Sequence, residues 1–433
     1  MPRTRLFIFL ALFLLLCGLV GPAAAQSPIG SPIVMESTAR RHGLTRAWVS
    51  QVELDRRADH LTYVTQDAGQ LLVQTQMAMI HVLDAETGRT VWFQQIGHRN
   101  LLSLPPAANE KYVAIVNGTT LYLVNRPNGR REWDVKIDGA PGSGPALNED
   151  YVFVPMVNGL MEGFEIDNPK SSTPWVYRSL GRVLVQPLLT NDMLAWTTNK
   201  GYFYVVDASK REIRFRVETR GSIESQPAYW TPNVYACSTD GYVYCVDEPK
   251  GQISWTYPAA ETIVEPPVAI KDNVYVVPRN DQMICLDAAT GKVKWTAAGI
   301  TQFVSQSASK VYACDRFGQL AILDIKRGTR LDTMPLPIGT KKLINFRSDR
   351  IYLTTDAGLI QCLHEVELKK PLLYEPPKEA TTDTRKADAE RKVKEKRAAR
   401  GAEDEGHEKP AKPEKPAKQE AEPPAEDDPF NTK

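Results

Sequence analysis

Few of the groupings from which active sites are usually built occur in this sequence. Its six histidines, His42, His60, His81, His98, His364 and His407, are scattered without the short spacings of a metal site. No glycine-rich run opens a phosphate-binding loop, and no serine sits in a strand-to-helix elbow. Apolar residues do not recur at helical spacing over any long stretch, which excludes a helical repeat. Charge of one sign is also missing: 53 Lys and Arg stand against 52 Asp and Glu, mixed along the chain to a net charge of +1. The electrostatic footprint of a nucleic-acid binder is therefore absent.

Cysteine is scarce and badly placed for bridging. Cys17 lies in an apolar leader, and the other five are Cys237, Cys245, Cys285, Cys314 and Cys362. An odd number leaves at least one thiol unpaired in an exported chain. Cys245, Cys285 and Cys362 share one sequence context (YCVD, ICLD, QCLH) and Cys237 and Cys314 another (VYAC). Equivalent places in a repeat fall in different sheets, so these read as small buried residues.

The first 25 residues have the three-part form of a secretory signal: Arg3 and Arg5, an apolar run from Leu6 to about Val20, and Pro22-Ala23-Ala24-Ala25 before Gln26. The run is short for a membrane span. Export to the periplasm, the wider cell envelope or the medium is expected, with no transmembrane helix in the mature chain. A lipid on Cys17 is the alternative, but Leu14-Leu15-Leu16 stand where lipoprotein signals resemble one another in having small residues. Residues 26–43 read as a polar leader, and residues 375–433, rich in Lys, Glu, Ala and Pro, as a disordered spacing tail.

Between them a unit recurs, cleanest in Leu286–Trp295, LDAATGKVKW. Its aspartate can accept bonds from the following amides, Gly291 tolerates positive φ, and a tryptophan follows on the next strand. The aspartate position is filled by Asp84, Asn125, Asp167, Asp207, Asp247, Asp287, Asp324 and His364, at intervals of 41, 42, 40, 40, 40, 37 and 40. Eight residues further on stand Trp92, Trp133, Trp175, Phe215, Trp255 and Trp295, then Asp332 and Leu372. Each period holds four short strand signals, in the fifth SQPAYW, NVYACST, YVYCVD and QISWTY. Four strands in about 40 residues make one propeller blade, so residues 44–374 are expected to form an all-β, eight-bladed propeller.

A ring has to close. From Trp92 to the next innermost strand, near Leu104, is about as far as from Trp48 to the strand near Leu61. The segment Leu44–Leu54 is thus the expected outer strand of blade eight, with Lys369–Tyr374 as competitor. Asn117-Gly118-Thr119 fits a glycosylation acceptor, but Asn-Gly is also a hairpin turn, and the turn is the preferred reading.

The pattern Asp-x-x-Thr-Gly-x-x-x-Trp, complete at Asp84–Trp92 and Asp287–Trp295, resembles the repeat of quinoprotein-like (PQQ-repeat) eight-bladed propellers. That family includes pyrroloquinoline-quinone-dependent dehydrogenases and cofactor-free propellers of the BamB type. The resemblance implies that Trp92, Trp133, Trp175, Phe215, Trp255 and Trp295 dock one blade on the next. Its enzymes resemble one another in a calcium-held quinone, a disulfide between adjacent cysteines and an aspartate base on long loops. This chain has no Cys-Cys pair and little room for such loops. A non-catalytic, monomeric scaffold for other envelope proteins is expected, without cofactor. The alternatives are a dehydrogenase using PQQ and calcium, and a sensor of small ligands. For binding, Ser143, Gln186, Glu224, Gln226, Glu265, Gln306 and Asn345 are expected to ring one mouth of the channel, and Glu224 with Glu265 is a candidate cation site.

Overall fold

The structure is a computed structural model that describes residues 31–171, 175–190, 193–210 and 212–376. The expected signal at 1–25 and the expected tail from residue 377 on lie outside the described residues. Eight four-stranded antiparallel sheets follow one another along the chain, and together they are the eight blades of a propeller. Blade one is Leu61–Asp67, Gln70–Thr75, Met79–Asp84 and Thr90–Gln95, and the same up-and-down order recurs in each blade. Among the described residues no helix is long and apolar enough to cross a membrane.

The middle two strands of each blade are apolar along their length because both of their faces are covered by neighbouring blades. Asn233–Cys237 and Gln282–Asp287 are buried at nearly every residue. The fourth strand has an open edge and alternates instead: in Val293–Ala298 only Trp295 and Ala297 are buried. Eight apolar clusters result, one for each seam between blades.

The N-terminal strand closes the ring. Leu44–Gln51 pairs antiparallel with Leu359–Glu365, from Leu44 opposite Glu365 to Gln51 opposite Leu359. Trp48 faces Cys362 as Trp295 faces Cys285, so Trp48 is the docking tryptophan of blade eight. Lys369–Tyr374 forms no strand of that sheet. It lies beside blade eight, with Leu372 N donating to Asp349 Oδ1 (3.0 Å) and Tyr374 N to Arg347 O (2.7 Å).

Register also corrects the repeat frame in blade three. Glu165 pairs with Tyr151 as Asp287 pairs with Asn273, so Glu165, and not Asp167, holds the turn position. Gly163 still faces Trp175. The extra length lies in the hairpin between them, which is why counting back from Trp175 lands two residues late.

Candidate interaction site at the blade seams and channel mouth

In seven blades a bulge interrupts the pairing of the third and fourth strands just before the aromatic position; in blade six it lies between Cys285 and Leu286. A bulge sharpens the local twist and re-aims the side chain toward the next blade. There the indole N–H meets one backbone carbonyl. Trp48 donates to Ala85 O (3.0 Å), Trp92 to Arg126 O (2.6 Å), Trp133 to Ile166 O (2.8 Å), Trp255 to Ala288 O (3.0 Å) and Trp295 to Ile325 O (2.8 Å). Each acceptor directly follows the aspartate position of the next blade.

The motif glycine completes the contact. A Cβ on Gly88 would lie 2.4 Å from Trp48, on Gly129 2.6 Å from Trp92, on Gly291 2.6 Å from Trp255 and on Gly328 2.3 Å from Trp295. Thus the glycine turn of one blade seats the tryptophan of the blade before it. Trp175 and Phe215 depart from the pattern. Trp175 is buried edge-on against Phe153 (5.0 Å, 72°), and its Nε1 has no partner among the described residues. Phe215 has no N–H to give but still packs against Gly251.

The aspartates are spent on the turns. Asp287 Oδ1 accepts from Thr290 N (3.0 Å) and Thr290 Oγ1 (2.8 Å), and Oδ2 lies 3.3 Å from Lys294 Nζ. Burial works against its charge, but the bonds from Thr290 and Lys294 outweigh this and lower its pKa.

A second set of anchors escaped the sequence reading, although its signal recurs as Val234-Tyr235, Val274-Tyr275, Val311-Tyr312 and Ile351-Tyr352. Tyr235 donates to Ala288 O and Tyr352 to Ala85 O, both at 3.3 Å, so tyrosine and tryptophan converge on one carbonyl. Tyr275 donates to Gln306 Oε1 (2.7 Å) and Tyr312 to Glu365 Oε1 (2.8 Å).

The seam between blades seven and eight lacks its tryptophan, and Asp332 stands there. The segment just before the first strand fills the gap. Ile33, Val34, Ala39 and Leu44 join Tyr312, Met334, Leu336 and Leu363 in one buried cluster. The buried Gln361 side chain accepts from Val34 N and donates to Val34 O, both at 2.9 Å. A short helix, Glu36–Arg41, leads to His42, whose Nδ1 lies 2.7 Å from Asp332 Oδ2. The carboxylate at the tryptophan position is thereby held by the leader.

At the channel, the seven sequence-selected residues do not share one position. Pairing makes Ala146, Leu188, Ala228 and Val268 equivalent. Gln186 and Gln226 precede these by two residues, Ser143 and Glu265 by three, and Glu224 by four. Gln186 Nε2 donates to Pro145 O (2.9 Å) and Pro106 O (3.3 Å), linking three blades. Ser143 and Gln226 are half-buried. Glu224 is exposed and accepts from Ser222 Oγ (2.9 Å), whereas burial raises the Glu265 carboxyl. Gln306 and Asn345 lie past the corresponding Ser305 and Leu343 and are buried. Two bulges in Ile300–Gln306 account for the shift in blade seven. Asn345 Nδ2 donates to Ser348 Oγ (2.9 Å) and Arg350 O (2.6 Å), and its Oδ1 accepts from Arg347 N and Ser348 N. Both are fixed in the wall and do not face the mouth.

The five cysteines of the ring are free and buried in four seams, Cys237 and Cys245 sharing one. Burial pushes the Cys245 and Cys285 thiols up to about 12, far from reactive thiolates. Among the described residues no three His, Cys, Asp or Glu side chains group to hold a metal ion.

Asn117 is buried with its side chain fully used. Its Oδ1 accepts from His98 N (2.8 Å), and its Nδ2 donates to Ser103 Oγ (2.9 Å), Leu101 O (3.0 Å) and His98 O (3.3 Å). It ends a strand and pairs with Thr120 across the turn at Gly118.

No curated protein sequence matches the chain. Solved structures similar to it include BamB from Moraxella catarrhalis, 14% identical with a TM-score of 0.60 over 74% of this chain and 99% of that one. A computationally designed protein, Ika8, is 13% identical with a TM-score of 0.55, over 71% of this chain and 96% of that one. At such identities these likenesses show the fold alone. A family model described as outer membrane protein assembly factor BamB matches residues 117–228 and 216–343, together more than half of the sequence. The chain belongs to this family of PQQ-repeat propellers.

Proposed function

We propose that this protein is a non-catalytic scaffold of the cell envelope that binds a protein engaged in outer-membrane assembly. The observation that carries this reading is the pairing of exposed apolar side chains with rigid loops. Leu101 and Leu102, between blades one and two, and Leu180 and Leu184, between blades three and four, are exposed. Their backbones are tied down. Leu180 N donates to Tyr204 Oη (2.9 Å), Arg182 N to Asn199 Oδ1 (2.8 Å), and Gly118 N to Leu102 O (2.8 Å), while Asn117 clamps the turn before Leu102. Apolar groups held in place before binding lose little entropy on association, which favours recognition of a partner. The family description points the same way.

The test is crosslinking and co-purification from native envelopes with Leu180→Asp/Leu184→Asp and Leu101→Asp/Leu102→Asp variants. Loss of one specific envelope protein, with an unchanged thermal melt, is expected. Unchanged capture by both variants would sink the reading.

A further inference from the structure

We propose a second contact surface, at the tips of blade seven, that docks on an anionic phospholipid surface. It does not rest on the scaffold reading and uses different residues. The strands of a blade alternate in direction, so the loops between blades and the hairpins between second and third strands leave the ring on one face. In blade seven that face carries Phe317, on the hairpin between Lys310–Asp315 and Leu320–Asp324, and Ile338, on the loop leading to blade eight. Phe317 is 77% exposed and Ile338 105%, so neither side chain is covered by a neighbour among the described residues.

The backbone beneath both side chains is held in place. Asp315 Oδ1 accepts from Phe317 N (3.0 Å) and Gln319 N (2.9 Å), fixing the hairpin. Thr340 Oγ1 donates to Pro337 O (2.7 Å), fixing the turn around Ile338. Leu336 N donates to Gln319 Oε1 (2.6 Å), which locks the two tips side by side.

The charge around the tips is cationic. Arg316 and Lys342 ion-pair with no carboxylate among the described residues, and Lys342 Nζ lies 3.7 Å from where a Gly318 Cβ would be. Asp315 is paired with Arg330 (3.2 Å) and Asp356 with Lys341 (2.5 Å). Protruding apolar tips flanked by unpaired basic groups suit the boundary between acyl chains and anionic headgroups, where the tips are buried and the cations stay with phosphate. A protein partner would more often meet a flatter apolar patch with a polar rim.

The entry of the chain agrees with this placement. Ile33 and Val34 share a buried cluster with Met334 and Leu336, which begin the loop carrying Ile338. Ile33 and Val34 therefore lie in the same sector of the ring as the tips.

The chain from Gln26 onward contains every described residue and is the form to use. It is mixed with vesicles of phosphatidylethanolamine and phosphatidylglycerol, or of phosphatidylcholine alone, and sedimented. Binding to the anionic vesicles that weakens with salt is expected, and it should fall by roughly tenfold or more in Phe317→Ser/Ile338→Ser and by several-fold in Arg316→Glu/Lys342→Glu. An Ile338→Trp variant reads insertion independently, because brominated lipid quenches a tryptophan that enters the bilayer. Failure of the parent chain to sediment, equal binding by Phe317→Ser/Ile338→Ser, or no added quenching would each overturn the proposal. So would loss of a co-purifying envelope protein from Phe317→Ser/Ile338→Ser with vesicle binding intact, since the tips would then be a protein contact.

Discussion

Replacing Gly328 by alanine isolates what the motif glycine does. Gly328 has φ of +67°, and Gly339, in the loop after the same blade, has φ of +83°. Adding a Cβ at either position incurs the left-handed backbone cost, about 1 kcal/mol. Only at Gly328 does it also meet a neighbour: the new carbon would lie 2.3 Å from Trp295 Cε3, whereas nothing lies within 4 Å of Gly339. Carbon atoms rest at about 3.5 to 4.0 Å, so the indole must shift by more than an ångström. That shift strains the Trp295 Nε1 bond to Ile325 O and opens packing between blades six and seven. The bond contributes about 1 kcal/mol and the lost packing at least as much, giving a total near 3 kcal/mol or more for Gly328→Ala against about 1 for Gly339→Ala. Urea denaturation of the two variants measures the difference. In a double-mutant cycle, Trp295→Ala should relieve the clash, so the combined loss should fall well short of the sum. Equal losses at Gly328 and Gly339, or strict additivity with Trp295→Ala, would refute the account of the seam.

Trp295→Ala and Trp48→Ala should each lower stability by about 3 to 5 kcal/mol in denaturant titrations, and deletion of residues 44–54 should collapse the thermal transition. His81 is buried, which lowers its pKa from 6.5 to about 4. Its folded pKa lies below the unfolded value, so stability is complete above pH 6.5 and is lost as pH falls from there toward 4, by up to about 3 kcal/mol. The His81→Leu variant should lose that slope in melts taken across the range. Asp332→Ala should expose residues 31–43 to limited proteolysis before the ring is cut, because His42 loses its carboxylate. Addition of pyrroloquinoline quinone with calcium should give neither bound visible absorbance nor dye reduction, and calorimetry with calcium alone should give no heat at Glu224 and Glu265.

The ring was legible because every blade solves the same packing problem with nearly the same residues. Asp287, Gly291 and Trp295 recur at fixed spacing since the turn of one blade must fit the indole of the last. What escaped detection lies where a seam solves the problem differently. Blade three hides its frame by lengthening one hairpin, and the tyrosines were masked by their resemblance to ordinary strand residues.

The channel mouth was less legible than the ring, for a reason visible in Gln306 and Asn345. A count along the sequence assumes that each inner strand begins at the same place, but bulges at Ile300–Gln302 and Phe303–Ser305 displace blade seven's and put Gln306 inside the wall, while Asn345 in blade eight is buried by its bonds to Ser348 and Arg350. Polarity in the sequence cannot distinguish a group facing water from one bonded to a buried backbone. Exposed apolar residues carry the opposite information. Leu180, Leu184, Phe317 and Ile338 look like core residues in the sequence, and only the fold shows that the rigid turns beneath them turn them outward. In a propeller whose aspartates, tryptophans and cysteines are consumed in holding blades together, such outward apolar groups on fixed loops are the residues with binding capacity left.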